Sequence, residues 1–260
     1  MEPLEKIVVE VALSSKYRTI APSVVRRVGT EALRRTHSTK EAIKDTKATL
    51  HQMAGAYLAN RPRYEVWEEA LNGAGEEWGR VCREMMALHT STQERLPFLD
   101  SYYAQIFDLL PPVHSVLDLA CGLNPLAKFV MPLQEGAMYY AYDLYTDLAE
   151  FLRQVGVEAG VCDLLTAEDR ERLYERPVDV AFLFKIVPLL DHGDKGVARE
   201  LLLRLPAKQI VVSFPTRSLG GKGKGMVQNY STRFESLIAG ESWSVERLEF
   251  PNELCFVVKK

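Results

Sequence analysis

The chain has 260 residues, 47% of them hydrophobic and 26% charged, with a formal net charge of −3 at pH 7. This composition is typical of a globular protein with enough apolar residues for one large or two smaller domains. No run of about 18 or more apolar residues occurs, and the first residues lack the basic and apolar regions of a signal peptide. We therefore expect a cytoplasmic protein that neither spans nor binds a membrane.

The four cysteines lie far apart, without a Cys-x-x-Cys pair or a partnered histidine spacing. This pattern favours buried, reduced thiols over a metal site or a disulfide framework. We therefore expect no bound metal. The cysteines are Cys82, Cys121, Cys162 and Cys255.

Residues 1 to about 110 are predicted to be helical. Pro22 indicates the start of a helix that extends to about Thr36. Ser38 and Glu41 form a capping box for the next helix. A tryptophan-bearing helix is predicted from Tyr64 to Leu71, before an Asn-Gly-Ala-Gly turn.

Two more helices are predicted before the pattern changes. The first presents one apolar stripe, which we interpret as core. The second is expected to be capped by Ser91 with Glu94 and to continue through Ile106. The stripe consists of Trp78, Val81, Cys82, Met85, Met86 and His89.

From Pro111 onwards, short apolar strands alternate with helices, which predicts an α/β fold with a buried parallel sheet. A terminal antiparallel hairpin is expected after the fifth strand, because only Pro251-Asn252 separates the last two segments. We place a helical amino-terminal domain over 1–96 and the sheet domain over 97–260. The predicted strands are Val113–Ala120, Met138–Asp143, Ala159–Asp163, Val178–Lys185, Gln209–Phe214, Trp243–Phe250 and Glu253–Lys259.

The first three strands each carry or end in an acid, as a doubly wound sheet requires to hold an adenosine-containing cofactor. Asp118 precedes a turn with one glycine, Gly122, so there is little provision for a pyrophosphate. A nucleoside without phosphates fits better, and S-adenosylmethionine (AdoMet) is the common one. Asp143 can accept from the ribose hydroxyls and Asp163 from the adenine amino group, with Leu164 covering the ring. The alternative is that these acids only cap the helices that follow; three acids in register favour the cofactor site.

Arg95 belongs to a polar segment, Leu88-His-Thr-Ser-Thr-Gln-Glu-Arg95, that precedes the sheet. The methionine part of AdoMet has a free carboxylate, which an arginine can bind through two parallel hydrogen bonds. On chemistry alone, Arg95 is one arginine among many.

Two motifs that would identify the methyl acceptor are missing. Adenine amino methylation normally uses an Asn/Asp-Pro-Pro-aromatic motif after the fourth strand, where this chain has Phe184-Lys-Ile-Val-Pro188. Carbon-5 methylation of pyrimidines uses a cysteine after proline, and no Pro-Cys occurs. Guanine N7 remains suitable, because its in-plane lone pair carries no proton and needs positioning rather than a general base. Small-molecule methyltransferases also lack both motifs.

Positive charge is concentrated in two segments. Residues 16–63 contain eleven Lys and Arg against three acids, and residues 204–234 contain six and no acid. This asymmetry favours a polyanionic partner, with a solvated helix face as the alternative. The second segment includes a glycine- and lysine-rich loop after the fifth strand, where substrate contact is expected; its spacing is not that of a Walker loop.

Taken together, these segments resemble the aminoglycoside-resistance 16S rRNA guanine-N7 methyltransferases, which modify guanine 1405 of the decoding site. The matching motifs extend along most of the chain, and the loop after the fifth strand is the most specific of them. They are His51-Gln-Met-Ala-Gly-Ala-Tyr57, Leu88–Arg95, Leu117-Asp-Leu-Ala-Cys-Gly-Leu-Asn-Pro125, Phe184-Lys185 with Pro188-Leu-Leu190, Ser213-Phe-Pro-Thr-Arg-Ser-Leu-Gly-Gly-Lys-Gly-Lys-Gly-Met226, and Asn229-Tyr230 with Phe234-Glu235.

The resemblance implies AdoMet as cofactor, S-adenosyl-L-homocysteine as product, and 16S rRNA of the 30S subunit as the partner of a monomer. Lys185 and Arg217 would position the guanine without a general base. The implied cofactor residues are Tyr57, His89, Thr90, Ser91, Arg95, Gly122, Asp143, Asp163, Leu164 and Phe184. Residues 65–77 contain five acids and no Lys or Arg, so we place the RNA face on the 16–63 segment and the glycine–lysine loop instead. The expected RNA contacts are Lys16, Arg18, Arg26, Arg27, Arg34, Arg35, Lys222 and Lys224.

Three alternatives remain open from the sequence. A small-molecule AdoMet methyltransferase with a helical lid would work without ribosomes. A non-catalytic RNA-binding module on the same fold would not bind AdoMet, although the set of Arg95, Gly122, Asp143 and Asp163 argues against it. An enzyme for the neighbouring adenine N1 would differ in its drug-resistance profile.

Overall fold

The computed structural model describes residues 1–55, 57, 62–216 and 225–260. These residues form twelve α-helices and seven strands, with short 3₁₀ and π turns between some of them. The helices are α1 (Pro3–Ala12), α2 (Pro22–Arg35), α3 (Thr39–Leu50), α4 (Tyr64–Asn72), α5 (Trp78–Met86), α6 (Thr90–Gln93), α7 (Leu99–Phe107), α8 (Thr146–Gln154), α9 (Ala167–Tyr174), α10 (Val187–Gly193), α11 (Val197–Arg204) and α12 (Met226–Ile238). The strands are β1 (Ser115–Leu119), β2 (Met138–Asp143), β3 (Glu158–Val161), β4 (Val178–Phe184), β5 (Ala207–Pro215), β6 (Ser244–Phe250) and β7 (Glu253–Lys259).

The seven strands form one sheet in the order β3-β2-β1-β4-β5-β7-β6. Strands β1 to β5 are parallel, and β7 pairs antiparallel with both β5 and β6. The predicted α/β fold, with a Rossmann-like parallel sheet and a carboxyl-terminal antiparallel hairpin, is confirmed. The strand order reverses between β1 and β4, which is where ligands bind in doubly wound sheets.

Helices cover both faces of the sheet, and successive residues of the central strands point to opposite sides. In β4, Val180 and Phe182 pack into the core beneath α4, α5, α7 and α8, whereas Ala181 and Leu183 pack into the core beneath α9 to α12. Every residue of β4 is buried. This explains why β4 is apolar except for Asp179, whose carboxylate accepts from the main-chain amides of His114 and Ser115.

The first three helices have a core of their own, formed by residues such as Ile7, Val24 and Leu50. Helices α4 to α7 instead pack against the sheet. We therefore propose that the amino-terminal unit ends before Tyr64, rather than at residue 96 as expected from the sequence. Main-chain hydrogen bonds attach this unit to the end of β2: Ala21 N donates to Leu144 O at 2.9 Å, and Thr146 N to Thr19 O at 2.8 Å.

The two predicted caps have different outcomes. Ser38 accepts a hydrogen bond from Glu41 N at 3.2 Å and caps α3 as predicted. Ser91 is not a cap: it lies inside α6, which begins after His89. The predicted continuous helix is also wrong, because Pro97 lacks an N–H and clashes with the preceding turn. The chain forms α6, a 3₁₀ turn over Leu96–Phe98, and then α7.

Several strand ends differ from the prediction by one or two residues, and two of them concern predicted site residues. β3 ends at Val161, so Asp163 follows the strand rather than ending it, and β4 ends at Phe184, one residue before Lys185. Across the described part of the chain, no helix is both long and apolar enough to span a bilayer.

Candidate active site

A cavity of about 480 Å³ lies at the carboxyl ends of β1 to β4, beneath helix α2. It brings together residues that are far apart in the chain and that the sequence singled out. Such a cavity has the size of a typical small-molecule site. The predicted site residues that line it are Tyr57, His89, Ser91, Arg95, Gly122, Asp143, Asp163, Leu164, Phe184 and Lys185.

Gly122 forms the turn after β1 with a positive φ of 49°. A β-carbon at this position would lie 2.9 Å from His89 Nε2 and 3.0 Å from His89 Cε1. The His89 ring stacks on Tyr57, with ring centroids 5.8 Å apart and planes 12° apart. Glycine is therefore needed for the backbone conformation and for the close approach of the imidazole.

Asp143 ends β2 and accepts hydrogen bonds from main-chain amides. Gly122 N donates to its Oδ2 at 2.9 Å and Leu144 N to its Oδ1 at 2.7 Å. Burial raises the pKa of this carboxyl, and the amides of Gly122, Leu144 and Tyr145 oppose the rise. A carboxylate has about four acceptor positions, so Asp143 can also accept from a ligand hydroxyl. Asp143 thus joins the glycine turn to the neighbouring strand and still faces the cavity.

Asp163 follows β3 and is 2% exposed. Its Oδ1 accepts from Leu165 N at 3.1 Å, and its Oδ2 accepts from Arg27 Nε at 2.6 Å. Arg27 comes from α2, 136 residues earlier in the chain. Leu164 is buried beside this pair. The amino-terminal unit therefore contributes a charged side chain to the wall of the cavity.

A buried polar chain runs beneath the other end of the cavity. Arg95, 1% exposed, donates from Nη2 to Glu253 Oε1 at 2.7 Å, from Nε to Glu253 Oε2 at 3.2 Å, and from Nη1 to Asn124 Oδ1 at 2.6 Å. Asn124 Nδ2 then donates to Asp118 Oδ2 at 2.8 Å. Arg95 keeps one N–H on each terminal nitrogen. It can therefore bind a ligand carboxylate while Glu253 holds it.

Lys185 extends the same chain in the other direction. Its Nζ lies 2.7 Å from Glu94 Oε2 and 3.4 Å from Glu253 Oε2. The lysine has a positive φ of 57°, and Ala120, at the end of the neighbouring strand β1, has one of 52°. Such conformations cost of the order of 1–3 kcal/mol each in non-glycine residues and cluster at functional sites. The ammonium of Lys185 lines the cavity but is held by two carboxylates.

Among the buried groups of the cavity wall, Asp118 and His89 have strongly displaced pKa values. Burial raises the pKa of Asp118 to about 7, against the hydrogen bonds from Asn124 and Tyr139. Burial, with the charges of Lys185 and Arg95, lowers the pKa of His89 to about 4. The pKa of Glu253 is shifted in the opposite direction from that of Asp118. Burial alone would raise it, but the charges of Arg95 and Lys185 outweigh burial and lower it to about 2.

Thr90 is the one described residue of the predicted cofactor set that does not line the cavity. Its amide and its hydroxyl both donate to Tyr57 O, at 2.9 and 3.2 Å. The hydroxyl is therefore turned toward the main chain, and Thr90 acts by holding Tyr57. Its neighbour Thr92 lines the cavity instead.

The predicted RNA-binding residues fall into three groups. Arg27 lies in the cavity wall, 20% exposed, because it faces Asp163 rather than solvent. Lys222 and Lys224 lie outside the described residues, as does Arg217, which was predicted to position the guanine. The others are exposed, although Arg26 pairs with Glu5, and Arg35 pairs with Asp45 and also borders the cavity. They are Lys16, Arg18, Arg26, Arg34 and Arg35.

Sequence reasoning missed Glu253, Asn124 and the inward direction of Arg27. Glu253 is fully buried at the start of β7, directly before five buried residues. A single acid at the start of an otherwise apolar strand was the available signal. Nothing in the sequence distinguishes Arg27 from the adjacent Arg26, because only the packing of α2 determines which one faces the sheet.

The residues present fit AdoMet. Gly122 has no β-carbon, which at this position would collide with His89, and two nitrogens in the cavity wall, Arg27 Nη2 and His89 Nδ1, are buried without a hydrogen-bond partner. Unpaired buried donors and acceptors of this kind are expected where a ligand completes the site. No group of three or more His, Cys, Asp or Glu side chains within the described ranges is arranged to hold a metal ion.

This sheet order, with a single-glycine turn after β1 and an acid at or after each of the next two strands, defines a Rossmann-like AdoMet-dependent methyltransferase. Residues 13–257 match the family model described as ribosomal RNA methyltransferase (FmrO). The chain belongs to this family.

Named relatives agree with the family assignment. The 16S rRNA (guanine(1405)-N(7))-methyltransferase of Micromonospora rosea is 38% identical over 95% of this chain and 93% of its own. The enzyme of the same name from Serratia marcescens is 35% identical over 95% and 94%. Among solved structures, the 16S rRNA methyltransferase RmtF in complex with S-adenosyl-L-homocysteine has a TM-score of 0.81 at 30% identity, covering 100% of this chain and 99% of its own.

Proposed function

We propose that this protein transfers the methyl group of AdoMet to N7 of guanine 1405 in 16S rRNA, with S-adenosyl-L-homocysteine as the second product. The observation that carries the proposal is family membership over residues 13–257 together with an intact cofactor cavity. The function is that of aminoglycoside resistance, as the family resemblance implies. We further propose that the substrate is the assembled 30S subunit and that the enzyme acts as a cytoplasmic monomer.

When bound, AdoMet supplies a methyl group on a positively charged sulfur. Gly122 lets the cofactor approach the main chain, and Asp143 accepts from its ribose hydroxyls. Asp163 accepts from the adenine amino group, and the free N–H groups of Arg95 receive the methionine carboxylate. These assignments use the lone pairs and N–H groups that the protein itself leaves unpaired in the cavity wall.

The target nitrogen needs no general base, because guanine N7 has a lone pair and no proton to lose. The residues therefore act by positioning and by excluding water. Lys185 is held by Glu94 and Glu253, so its side chain is fixed in direction at the cavity wall. His89 is neutral at pH 7, because its pKa is about 4. The described residues of the site therefore supply positioning groups, and Asp118, whose pKa burial raises to about 7, lies beneath Asn124.

The guanine must leave its stack to reach the sulfonium, at a cost of a few kcal/mol. We propose that the exposed cations of the amino-terminal unit offset this cost by binding rRNA phosphates. Arg26 and Arg34 lie two turns apart on one exposed stripe of α2. The adjacent stripe of the same helix, which includes Arg27 and Glu31, faces the cavity.

The test is incubation of unmodified 30S subunits with methyl-labelled AdoMet, followed by mapping of the labelled nucleotide. We expect the label on the decoding-site guanine, with the positive charge and alkali-labile glycosidic bond of 7-methylguanine. Naked 16S rRNA should be methylated far more slowly, because shape recognition requires the folded subunit. Label at any other nucleotide would contradict the proposal.

A further inference from the structure

Helix α2 presents a charged stripe to the cavity. Arg27, Glu31 and Arg35 follow one another at intervals of four residues, and all three line the cavity. The apolar residues Val24, Val28 and Ala32 pack on α1 and α3 and fix the rotation of the helix. The direction of Arg27 is therefore set by the packing of the amino-terminal unit.

Two of the three guanidinium nitrogens of Arg27 donate hydrogen bonds to carboxylates, and the third has no partner. Its Nε donates to Asp163 Oδ2 at 2.6 Å, and its Nη1 donates to Glu31 Oε1 at 3.1 Å. Its Nη2 is buried and has no hydrogen-bond partner. A buried N–H without a partner costs of the order of 1–3 kcal/mol, so a ligand acceptor at this position would be favoured.

The pair of Asp163 and Arg27 presents an acceptor and a donor side by side. The edge of adenine presents the matching pattern, since its amino group donates and the ring nitrogens on either side accept. Hypoxanthine has an oxygen in place of the amino group and would meet the carboxylate with another acceptor. The arrangement is thus suited to an adenine base and unsuited to its deaminated form.

We propose that Arg27 is an adenine-recognition residue. Asp163 accepts from the adenine amino group, and Arg27 Nη2 donates to a ring nitrogen next to that amino group. This inference rests on the proposed placement of AdoMet in the cavity. It assigns the base-binding part of the cofactor site to two units, the sheet domain and the amino-terminal helices. Cofactor affinity therefore depends on the seating of α2, the helix that also carries the exposed cations.

The experiment compares S-adenosyl-L-homocysteine with its 7-deaza and 1-deaza analogues, in which one ring nitrogen is replaced by C–H. Dissociation constants are measured by calorimetry for the wild type, Arg27→Gln, Arg27→Lys and the control Glu5→Gln. Glu5 belongs to α1 of the same amino-terminal unit, pairs with Arg26 and does not line the cavity, so E5Q removes a charge without touching Arg27 or Asp163.

We expect the wild type to bind one of the two analogues about tenfold more weakly than the parent, because a hydrogen bond to a charged donor is lost. R27Q should bind the parent about tenfold more weakly and should not distinguish the parent from that analogue. The two losses are not additive if they remove the same contact. R27K keeps a cation for Asp163 but has no second planar N–H, and should behave as R27Q. E5Q should keep the wild-type pattern.

Two results would overturn the inference. One is a wild type that binds both analogues as tightly as the parent. The other is an Arg27 variant, either R27Q or R27K, that still discriminates the analogue as strongly as the wild type, which would mean that Arg27 only fastens α2 to the sheet domain. A wild type that binds none of the three compounds would instead refute the proposed cofactor site itself. If R27Q does not fold, R27K decides the question alone.

Discussion

Arg95 donates two hydrogen bonds to the carboxylate of Glu253, which lies 158 residues later in the chain and is completely buried. Arg95 itself is 1% exposed, and its guanidinium also lies over the rings of Tyr102 and Phe184, 4.4 and 4.7 Å from their centroids. Glu253 thus fixes the arginine that we assign to the methionine carboxylate.

Replacing Glu253 with Gln should destabilise the protein and weaken cofactor binding. The change leaves Arg95 and Lys185 with one fewer buried counter-charge, and breaking a buried pair in this way costs about 3–5 kcal/mol. We expect a loss of this order in the free energy of unfolding, measured in urea. Binding of S-adenosyl-L-homocysteine should also weaken, because Arg95 is no longer held toward the cavity.

Glu249→Gln is the matched control for that experiment. Glu249 is on the same hairpin and pairs with Arg247, but its side chain is 61% exposed, so the loss should be below about 1 kcal/mol. Equal losses in the two variants would show that the burial of Glu253 has no energetic consequence.

Gly122→Ala should abolish cofactor binding through two effects. The backbone conformation is strained for alanine, and the new β-carbon would lie 2.9 Å from His89 Nε2. Gly136 provides the control, since its φ is also positive but a β-carbon there would have nothing within 4 Å. Gly136→Ala should therefore lower stability by about 1 kcal/mol and leave affinity for S-adenosyl-L-homocysteine unchanged. An equal loss of affinity in the two variants would refute the role of the contact with His89.

Asp118 and His89 should make opposite contributions to the pH dependence of stability. Between pH 6.5 and 4 the unfolded chain protonates His89 and the folded one does not, so this group lowers the free energy of unfolding as the pH falls. Between pH 7 and 3.8 the folded protein keeps the proton on Asp118 that the unfolded chain loses. Asp118 therefore raises the free energy of unfolding as the pH falls. In the wild type the two effects oppose each other.

Single variants separate the two contributions. When the pH is lowered from 7.5 to 5, Asp118→Asn should lose more unfolding free energy than the wild type does. His89→Gln should lose less than the wild type, and each difference should be of the order of 2 kcal/mol. Urea unfolding at both pH values measures the difference. Parallel pH profiles for the wild type and both variants would contradict the buried environment of these groups.

Reversing the exposed stripe of α2 should weaken ribosome binding and spare the cofactor site. The double variant Arg26→Glu, Arg34→Glu should bind 30S subunits at least tenfold more weakly at moderate salt, with a shallower dependence of affinity on salt concentration. Its affinity for S-adenosyl-L-homocysteine should equal that of the wild type, since neither side chain lines the cavity. Arg27 is left unchanged in this variant because its side chain lines the cavity.

The control for charge alone is Arg80→Glu, Arg172→Glu. These arginines are 59% and 69% exposed and belong to α5 and α9, outside the amino-terminal unit. This variant changes the net charge by the same amount and should bind subunits nearly as the wild type does. If both double variants lose binding equally, the RNA face is not on α2.

The parts of the site that the sequence predicted are those that local patterns determine. Buried parallel strands must be apolar, and the chain must turn where they end, so Gly122 and Asp143 could be located from strand ends alone. Asp163 was found in the same way, although it lies just beyond its strand. The two failed predictions in this region have local causes as well: the helix begins one residue before Ser91, so Ser91 lies inside it, and Pro97 ends the helix that was expected to continue.

The rest of the site depends on packing between distant segments. Glu253 becomes a counter-ion of Arg95 only because β7 inserts between β5 and β6, and Arg27 reaches Asp163 only because α2 sits against the ends of β2 and β3. No spacing along the chain encodes either pair. The same holds for Arg26 and Arg27, which are adjacent in sequence. Arg26 is exposed to solvent, whereas Arg27 faces Asp163 in the cavity wall.

The two ion pairs at the ends of the cavity join residues 136 and 158 positions apart, so both exist only in the fully folded protein. A ligand that binds between them recognises the native state and not the unfolded chain, and at 100 times its dissociation constant it adds about 2.7 kcal/mol to stability. The supply of methyl donor in the cell therefore acts on the survival of the protein as well as on its turnover. A shortage of AdoMet would expose the chain to proteolysis at the same time as it slows methylation.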